Sequence, residues 1–314
     1  MLSLFRKPLR IGLVGLGKIA VDQHIPAINA NKDLKLIAGC SPRDRPAGIT
    51  AYADYAAMIA AHPEIDAVAV CTPPQIRHRI AAEVVASGRH VFLEKPPAAT
   101  LGEAEALRVM AAKKGVSLLA SWHSRYAPAV EVAKQWVRAR PLKAVRITWK
   151  ENVRQWHPGQ AWIFEAGGMG VFDPGINALS ILTAVLPDAV LVKKADLHIP
   201  VNCAAPIEVQ LDMATASGVP VSADFDFLQT GLQTWDLAVE AQSGETLTLH
   251  LGGAGLEIDG KAIPQPKESE YPGLYAHFVE LVRSKTSDAD FEPLRIVADA
   301  MLLGNRIAAP EYVE

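Results

Sequence analysis

Leu9-Arg10-Ile11-Gly12-Leu13-Val14-Gly15-Leu16-Gly17-Lys18-Ile19-Ala20 is the stretch whose pattern decides the fold. Its first half, Leu9–Val14, is a short apolar run such as a strand buried on both faces shows. Its second half is G-x-G-x-x-A, and a helical pattern over Lys18–Ala30 follows it. Strand, glycine turn and helix in that order make a dinucleotide cradle. Gly15 permits the tight turn, Gly17 lets a pyrophosphate approach the backbone, and Ala20 is small enough for helix and strand to pack. The start of the helix offers free N–H groups and a positive dipole end to the phosphates. Gly15, Gly17, Lys18, Ile19 and Ala20 are therefore cofactor candidates. A glycine triplet alone also serves a plain turn; its place between strand and helix favours the cofactor.

Working outward, short apolar runs alternate with helical patterns through the first 120 residues or so. Strands are expected at Leu34–Cys40, Ile65–Cys71, His90–Leu93 and Ser117–Ala120. Helices are expected at Tyr55–Ala61, at His78–Ser87 (closed by Gly88 as a left-handed cap) and at Leu101–Lys114. Alternation at this spacing implies parallel strands joined by right-handed crossovers, the α/β doubly wound pattern of a Rossmann domain. Near Trp122 the pattern changes. A helix over Ala129–Ala139 is followed by alternating runs at Ala144–Lys150, Ile207–Met213, Val219–Phe227, Trp235–Ala241 and Thr246–His250. Such runs predict a mostly antiparallel open sheet with one wet face. Helices return at Pro174–Leu186, Tyr275–Lys285 and Leu294–Ile307. The domains expected are thus 1–124, dinucleotide-binding, and 125–314, an α+β substrate domain.

Composition narrows the partners. The chain has 314 residues, half of them hydrophobic and 21% charged, with a net charge of −3. It has no basic block of the kind a nucleic acid requires. No apolar run is long enough to span a membrane. Arg6, Lys7 and Arg10 lead into a strand rather than into the apolar core of a secretion signal. Cys40, Cys71 and Cys203 are few, odd in number and far apart, so neither a disulfide framework nor a metal site is expected. A cytoplasmic location fits best.

The residues that follow the strands carry the chemistry, because open α/β sheets bind ligands there. After the second strand stands Cys40-Ser41-Pro42-Arg43-Asp44. An acid at this point binds the adenine ribose and repels a 2′-phosphate, whereas Ser41 and Arg43 can hold one. That favours NADP, with NAD also plausible. Asp44 complicates the choice, and Arg43 and Asp44 also read as solvated loop charges. Thr72-Pro73-Pro74 follows the third strand as a rigid wall beside the cofactor or an ordinary helix start. Glu94-Lys95-Pro96-Pro97 follows the fourth, where proline fixes the backbone and halts the strand.

Together, Gly15-x-Gly17, Cys71-Thr72-Pro73, Gly88-x-His90-Val91 and Glu94-Lys95-Pro96 resemble the glucose-fructose oxidoreductase and inositol dehydrogenase family. Gly167-Gly168-Met169-Gly170-Val171-Phe172-Asp173-Pro174-Gly175-Ile176-Asn177 resembles that family's catalytic loop and helix. Four further elements, Gly17–Ile28, Ser121–Arg125, Trp149–Glu151 with Trp156–Gln160, and Phe172–Ser180, resemble bacterial L-arabinose 1-dehydrogenases and D-galactose 1-dehydrogenases. The resemblance implies an NAD(P)-dependent enzyme that oxidises an aldopyranose at C1 to its lactone. It implies Lys95 at the reacting hydroxyl, which it polarises or deprotonates, and Asp173 in acid/base work with Asn177 on the sugar. It implies Glu151 and His157 as ligands of the sugar hydroxyls, with Trp156 or Trp162 against a sugar face. Trp162, Thr72, Pro73, Glu94 and Lys95 join the cofactor set, and His123 the substrate set.

Each role has a plainer counterpart. Asp173 caps a helix that starts at Pro174; Glu151 and His157 form loop ion pairs with Lys150 or Arg154; Trp235 serves the sheet core or the pocket, with core favoured. His24 and His78 read as hydrogen-bonders at helix starts. Two departures from the family stand out: Asn177 occupies the usual histidine position, and Ser41–Ala53 is too short for the helix that relatives carry there. Inositol or glucose remain alternative substrates, as does a sensor that binds NAD(P) and sugar without turnover. Relatives often pair through the second-domain sheet, so a homodimer is possible.

Overall fold

The computed structural model describes residues 7–267 and 270–313. It divides into two compact units, one running to Ser121 and including Tyr271–Phe291, the other formed by Trp122–Glu270 with the segment from Glu292 onward.

The first unit is built on a parallel sheet. Its strands are β1 (Leu9–Val14), β2 (Leu34–Cys40), β3 (Ala51–Tyr52), β4 (Ala67–Val70), β5 (His90–Leu93) and β6 (Leu118–Ala120), in the order β3-β2-β1-β4-β5-β6. Every pair is parallel. Helices cover both faces in such sheets, so the strands read as continuous apolar runs: Ile11, Leu13, Val68, Val70, Phe92 and Leu93 are wholly buried. β2 and β3 lie on one side of β1 and β4 to β6 on the other, so the winding reverses between β1 and β4. That reversal opens a crevice at the carboxyl ends of the strands. The doubly wound domain read from the sequence is therefore present. Among the residues between Ser41 and Asp54, only the two-residue β3 is regular, and no helix forms.

One segment changes places. Tyr271–Phe291 was expected in the second domain and belongs to the first unit. The helix Glu270–Ser284 buries Tyr271, Leu274, Tyr275, Phe278 and Leu281 along one face, the spacing of an amphipathic helix. Tyr275 stacks on Phe92 of β5 at 4.8 Å between ring centres, and Phe278 meets it edge-on at 5.5 Å. Asp288 then hydrogen-bonds through its backbone to Leu118 and Ala120. The free edge of β6 is thus covered, a need the strand run itself creates. The division falls between Ser121 and Trp122, three residues before the expected boundary.

The second unit holds β7 (Leu142–Lys150), β8 (Val190–Pro200), β9 (Glu208–Thr215), β10 (Pro220–Asp226), β11 (Thr234–Ala241), β12 (Thr246–His250), β13 (Gly255–Ile258), β14 (Lys261–Ile263) and β15 (Asn305–Ala309). They order as β14-β13-β12-β11-β7-β10-β9-β8-β15. Pairing is antiparallel except for β10 with β7 and β15 with β8. Alternating burial along β7, β9 and β10 gives the sheet one covered and one wetter face, as expected. Four strands escaped the pattern: β8, β13, β14 and β15. In β8 a register shift between Val192 and Lys194 breaks the alternation. β15 was read as the end of a helix; that helix stops at Leu303, and the chain turns at Gly304, where an added Cβ would meet the Leu197 side chain at 2.8 Å.

Candidate active site

In the first unit, register sets the site. Val14 pairs with Cys40 and Val70, Val70 with Leu93, and Leu93 with Ala120. Gly15, Ser41, Cys71, Glu94 and Ser121 therefore leave the sheet side by side at its carboxyl edge. Gly15 has φ +88°, and a Cβ there would lie 3.0 Å from the backbone of Cys71 and Thr72. Gly17 is the opposite case: a Cβ would meet no atom within 4 Å. The turn is closed against the protein at Gly15 and open outward at Gly17, as a pyrophosphate requires. The buried Thr72 hydroxyl has no hydrogen-bond partner among the described residues. The edge thus fits a dinucleotide. The expected helix Lys18–Ala30 is wound as a π-helix over Ala20–His24 before Ile25–Ala30 continues it. The Lys18 ammonium pairs with Asp22.

The loop after β2 differs from expectation. Ser41 is buried, and its hydroxyl donates to the Asp44 carboxylate at 2.9 Å while accepting the Asp44 N–H at 3.1 Å. Arg45 holds the carbonyls of Ser41 and Asp44, and Arg43 is exposed. The Ser41 hydroxyl is thus engaged by a carboxylate, and Asp44 stands beside it. Glu94, expected among the cofactor residues, is held from the protein side. It is 2% exposed. Its carboxylate accepts from the Lys95 N–H at 2.6 Å and the Tyr271 hydroxyl at 2.7 Å, and lies 3.1 Å from His24 Nε2. It faces the interior because two buried donors await it there. Lys95 follows at the edge, half-buried, joined to Pro96 by a cis peptide bond. His24, expected to bond at a helix start, is a wholly buried bridge between Glu94 and the Tyr275 hydroxyl. A groove of about 490 Å³ lined by Lys7, Arg10, Lys35 and Arg283 lies at the other, amino-terminal edge of this sheet. Its size does not make it the site, for it holds none of these residues.

In the second unit a separate polar cluster forms. β7 ends at Lys150, and the Glu151 N–H bonds across to the Asp226 carbonyl of β10 at 2.9 Å. Asn152 caps the short helix Val153–Trp156 by accepting from the Arg154 N–H. That single turn brings His157 back toward Glu151, with Nε2 3.1 Å from Oε1. The other Glu151 oxygen accepts the Trp235 indole N–H at 2.8 Å. The His157 Nδ1 stands 3.9 Å from the Asp173 carboxylate. Glu151 and Asp173 are each 3% exposed. Trp156 lies 5.0 Å from Trp235 between ring centres, its buried indole nitrogen without a hydrogen-bond partner among the described residues. The cluster gathers two carboxylates, an imidazole and an aromatic wall, the groups that grip sugar hydroxyls and move a proton.

Three expectations change here. The ion pairs of Glu151 and His157 with Lys150 or Arg154 do not form: Lys150 pairs with Asp224 at 2.5 Å, and Arg154 lies over the Tyr312 ring. Trp235 is half-buried and bonds to Glu151 rather than serving only the core. Asp173 does not cap the helix, which starts at Phe172 after Val171 with no side-chain cap. The chain enters through Gly170, φ +56°, where a Cβ would lie 2.0 Å from the Pro206 carbonyl oxygen. Asp173 thus sits in the first turn, where the helix dipole favours a carboxylate, and half-buried Asn177 follows one turn later. His123 pairs with Glu270 at 2.7 Å, and Arg125 holds the Ser180 carbonyl and the Thr183 hydroxyl. Trp162 is half-buried on the turn Ala161–Phe164.

The chain is 43% identical over 308 residues to the galactose 1-dehydrogenase of Pseudomonas fluorescens, covering 98% of this chain and all of that one. Residues 9–121 match the family model described as an oxidoreductase family with an NAD-binding Rossmann fold. The chain belongs to the GFO/IDH/MocA oxidoreductase family. The crystal structure of a D-galactose-1-dehydrogenase from Rhizobium etli superposes with a TM-score of 0.94 at 47% identity, over 99% of this chain and 100% of that one. A 3-ketoreductase from Actinomadura kijaniata, solved with NADP and TDP-benzene, shares the fold at 18% identity, with a TM-score of 0.86 over 97% of this chain and all of that one. The chain is thus an oxidoreductase whose first unit is an NAD-binding Rossmann domain. No described helix is long and apolar enough to cross a membrane.

Proposed function

We propose that the protein oxidises D-galactose, and L-arabinose with it, at C1. The likeness to a galactose 1-dehydrogenase along the whole chain carries this proposal, and the cluster of Glu151, His157, Asp173 and Trp235 supports it. The reaction takes the C1 hydrogen as hydride and the O1 hydrogen as a proton, leaving the lactone carbonyl. A bound nicotinamide supplies the hydride acceptor. Gly15, Gly17, the backbone of Lys18, Ile19 and Ala20, and Thr72 with Pro73 hold the dinucleotide. Lys95 and Asp173 manage the O1 proton. Glu151, His157 and Asn177 bind ring hydroxyls, and Trp156 backs a sugar face. L-Arabinose shares the C2–C4 arrangement of D-galactose and differs at C5, so both bind through the same contacts.

The loop after β2 supports use of both cofactors. The exposed Arg43 suits the 2′-phosphate of NADP, and Asp44 on Ser41 suits the free ribose of NAD. The three cysteines are free, which supports a reducing, cytoplasmic setting. The test is a spectrophotometric assay of reduced cofactor with NAD+ or NADP+ and a panel of D-galactose, L-arabinose, D-glucose and myo-inositol. Turnover with the first two alone is expected. Turnover with glucose or inositol alone, or cofactor binding without turnover of any sugar, would refute the proposal.

A further inference from the structure

Glu94 and its neighbours form a buried polar network within the first unit. His24 is wholly buried, with Nδ1 2.6 Å from the Tyr275 hydroxyl and Nε2 3.1 Å from Glu94. Burial opposes a charge on His24, but Cys71 and Glu94 outweigh it and push its pKa up to about 10. A protonated His24 donates from both ring nitrogens, one to Tyr275 and one to the Glu94 carboxylate. Tyr271 donates to the same carboxylate oxygen. The remaining oxygen takes the Lys95 N–H. From the other side, the buried Arg77 donates to the carbonyls of Glu94, Pro96 and Thr72. The backbone on either side of Lys95 is held by buried charged groups.

A buried ion pair is a poor device for stability alone, because apolar side chains of similar volume do as well or better. This one surrounds the single residue whose ammonium must be placed. We propose that Glu94, held by His24 and Tyr271, is a positioning residue for Lys95, and that the helix bearing Tyr271 is in the first unit to complete that support. The proposal rests on the role given above to Lys95. It adds a function to a stretch, Tyr271–Phe291, that lies outside the residues matched by the family model.

Two variants test it. Tyr271→Phe deletes one hydroxyl and keeps the ring, and Glu94→Gln keeps the shape and removes the charge. The first readout is the rate at which acetic anhydride labels the Lys95 amine, followed by mass spectrometry across pH, with exposed Lys35 as the internal reference. The second is kcat and KM with galactose and NAD(P)+. The labelling profile of Lys95 is expected to shift in both variants while that of Lys35 stays fixed. A kcat lower by about tenfold is expected, with cofactor affinity within about twofold of the parent. If Glu94→Gln does not fold, Tyr271→Phe decides. Parent-like Lys95 labelling in a folded variant, or a lower Tm with unchanged kcat, overturns the inference. Labelling needs no turnover, so a parent protein inert toward every sugar would refute the proposed activity while the positioning of Lys95 is still judged.

Discussion

The two halves of the chemistry are assembled in opposite ways. In the first unit the candidate residues stand at consecutive strand ends, and the parallel register alone lines them up: Gly15, Ser41, Cys71, Glu94. In the second, Glu151, His157, Asp173 and Trp235 come from the end of one strand, a single helical turn, the first turn of a long helix and another strand. The first arrangement is a property of topology. The second depends on local devices, among them the Asn152 cap and the tight entry at Gly170. A site of the first kind binds a shared cofactor, whereas one of the second kind can be retuned for a substrate without disturbing the sheet.

The largest effects should separate the halves by which constant they move. Lys95→Ala and Asp173→Asn are each expected to lower kcat by roughly 10²–10⁴ while the cofactor still binds, since each removes a group to which the proposed reaction assigns the O1 proton. Steady-state kinetics beside fluorescence titration of the reduced cofactor would show this, and unchanged turnover in either variant would remove that residue from the mechanism. Gly15→Ala should instead abolish tight cofactor binding. It places a Cβ 3.0 Å from backbone atoms at φ +88°, a strain of about 1–2 kcal/mol. A cofactor Kd like that of the parent would show that the turn is only structural.

Smaller changes sharpen the contrast. Trp235→Phe keeps an aromatic ring but leaves a Glu151 oxygen without its 2.8 Å donor. A hydrogen bond to a charged group contributes about 1.5–3 kcal/mol, so KM for galactose should rise about tenfold or more with kcat less affected. An effect on cofactor affinity alone would misplace Trp235. In the first unit, His24 has a pKa raised from 6.5 to about 10. A raised folded-state pKa adds stability that is fully present below 6.5 and is lost as pH rises toward 10. The stability gap between the parent and His24→Gln should therefore narrow across that window in urea titrations; a gap constant with pH would show His24 to be neutral. The smallest effect is expected at the exposed Arg43. Arg43→Ala should weaken NADP by about three- to tenfold and leave NAD nearly unchanged, and equal losses for both would discard the 2′-phosphate role.

Much of this was legible because it was local. The run Leu9–Val14 and the glycines after it define strand and turn without help from distant residues. Asp173 and Asn177, four apart on a helix, share a face wherever that helix lies. The spacing from Glu151 to His157 hid their contact, because only the cap at Asn152 decides that the intervening residues turn. The Trp235–Glu151 bond was hidden because a tryptophan on an alternating strand looks the same whether its indole N–H meets a carboxylate or not. The position of Glu94 after a strand points toward the cofactor, and nothing local announces its contacts with His24 and Tyr271, 70 and 177 residues away.

Sequence by itself determined the doubly wound sheet, its cofactor edge and the change to alternating strands after Trp122, since short-range periodicity and turn chemistry dictate these. Tertiary structure alone decided which donors satisfy each buried carboxylate, and where Tyr271–Phe291 packs. The reason is physical: the side on which a buried polar group is satisfied depends on donors brought from elsewhere in the chain, and an edge strand takes whatever segment can cover it.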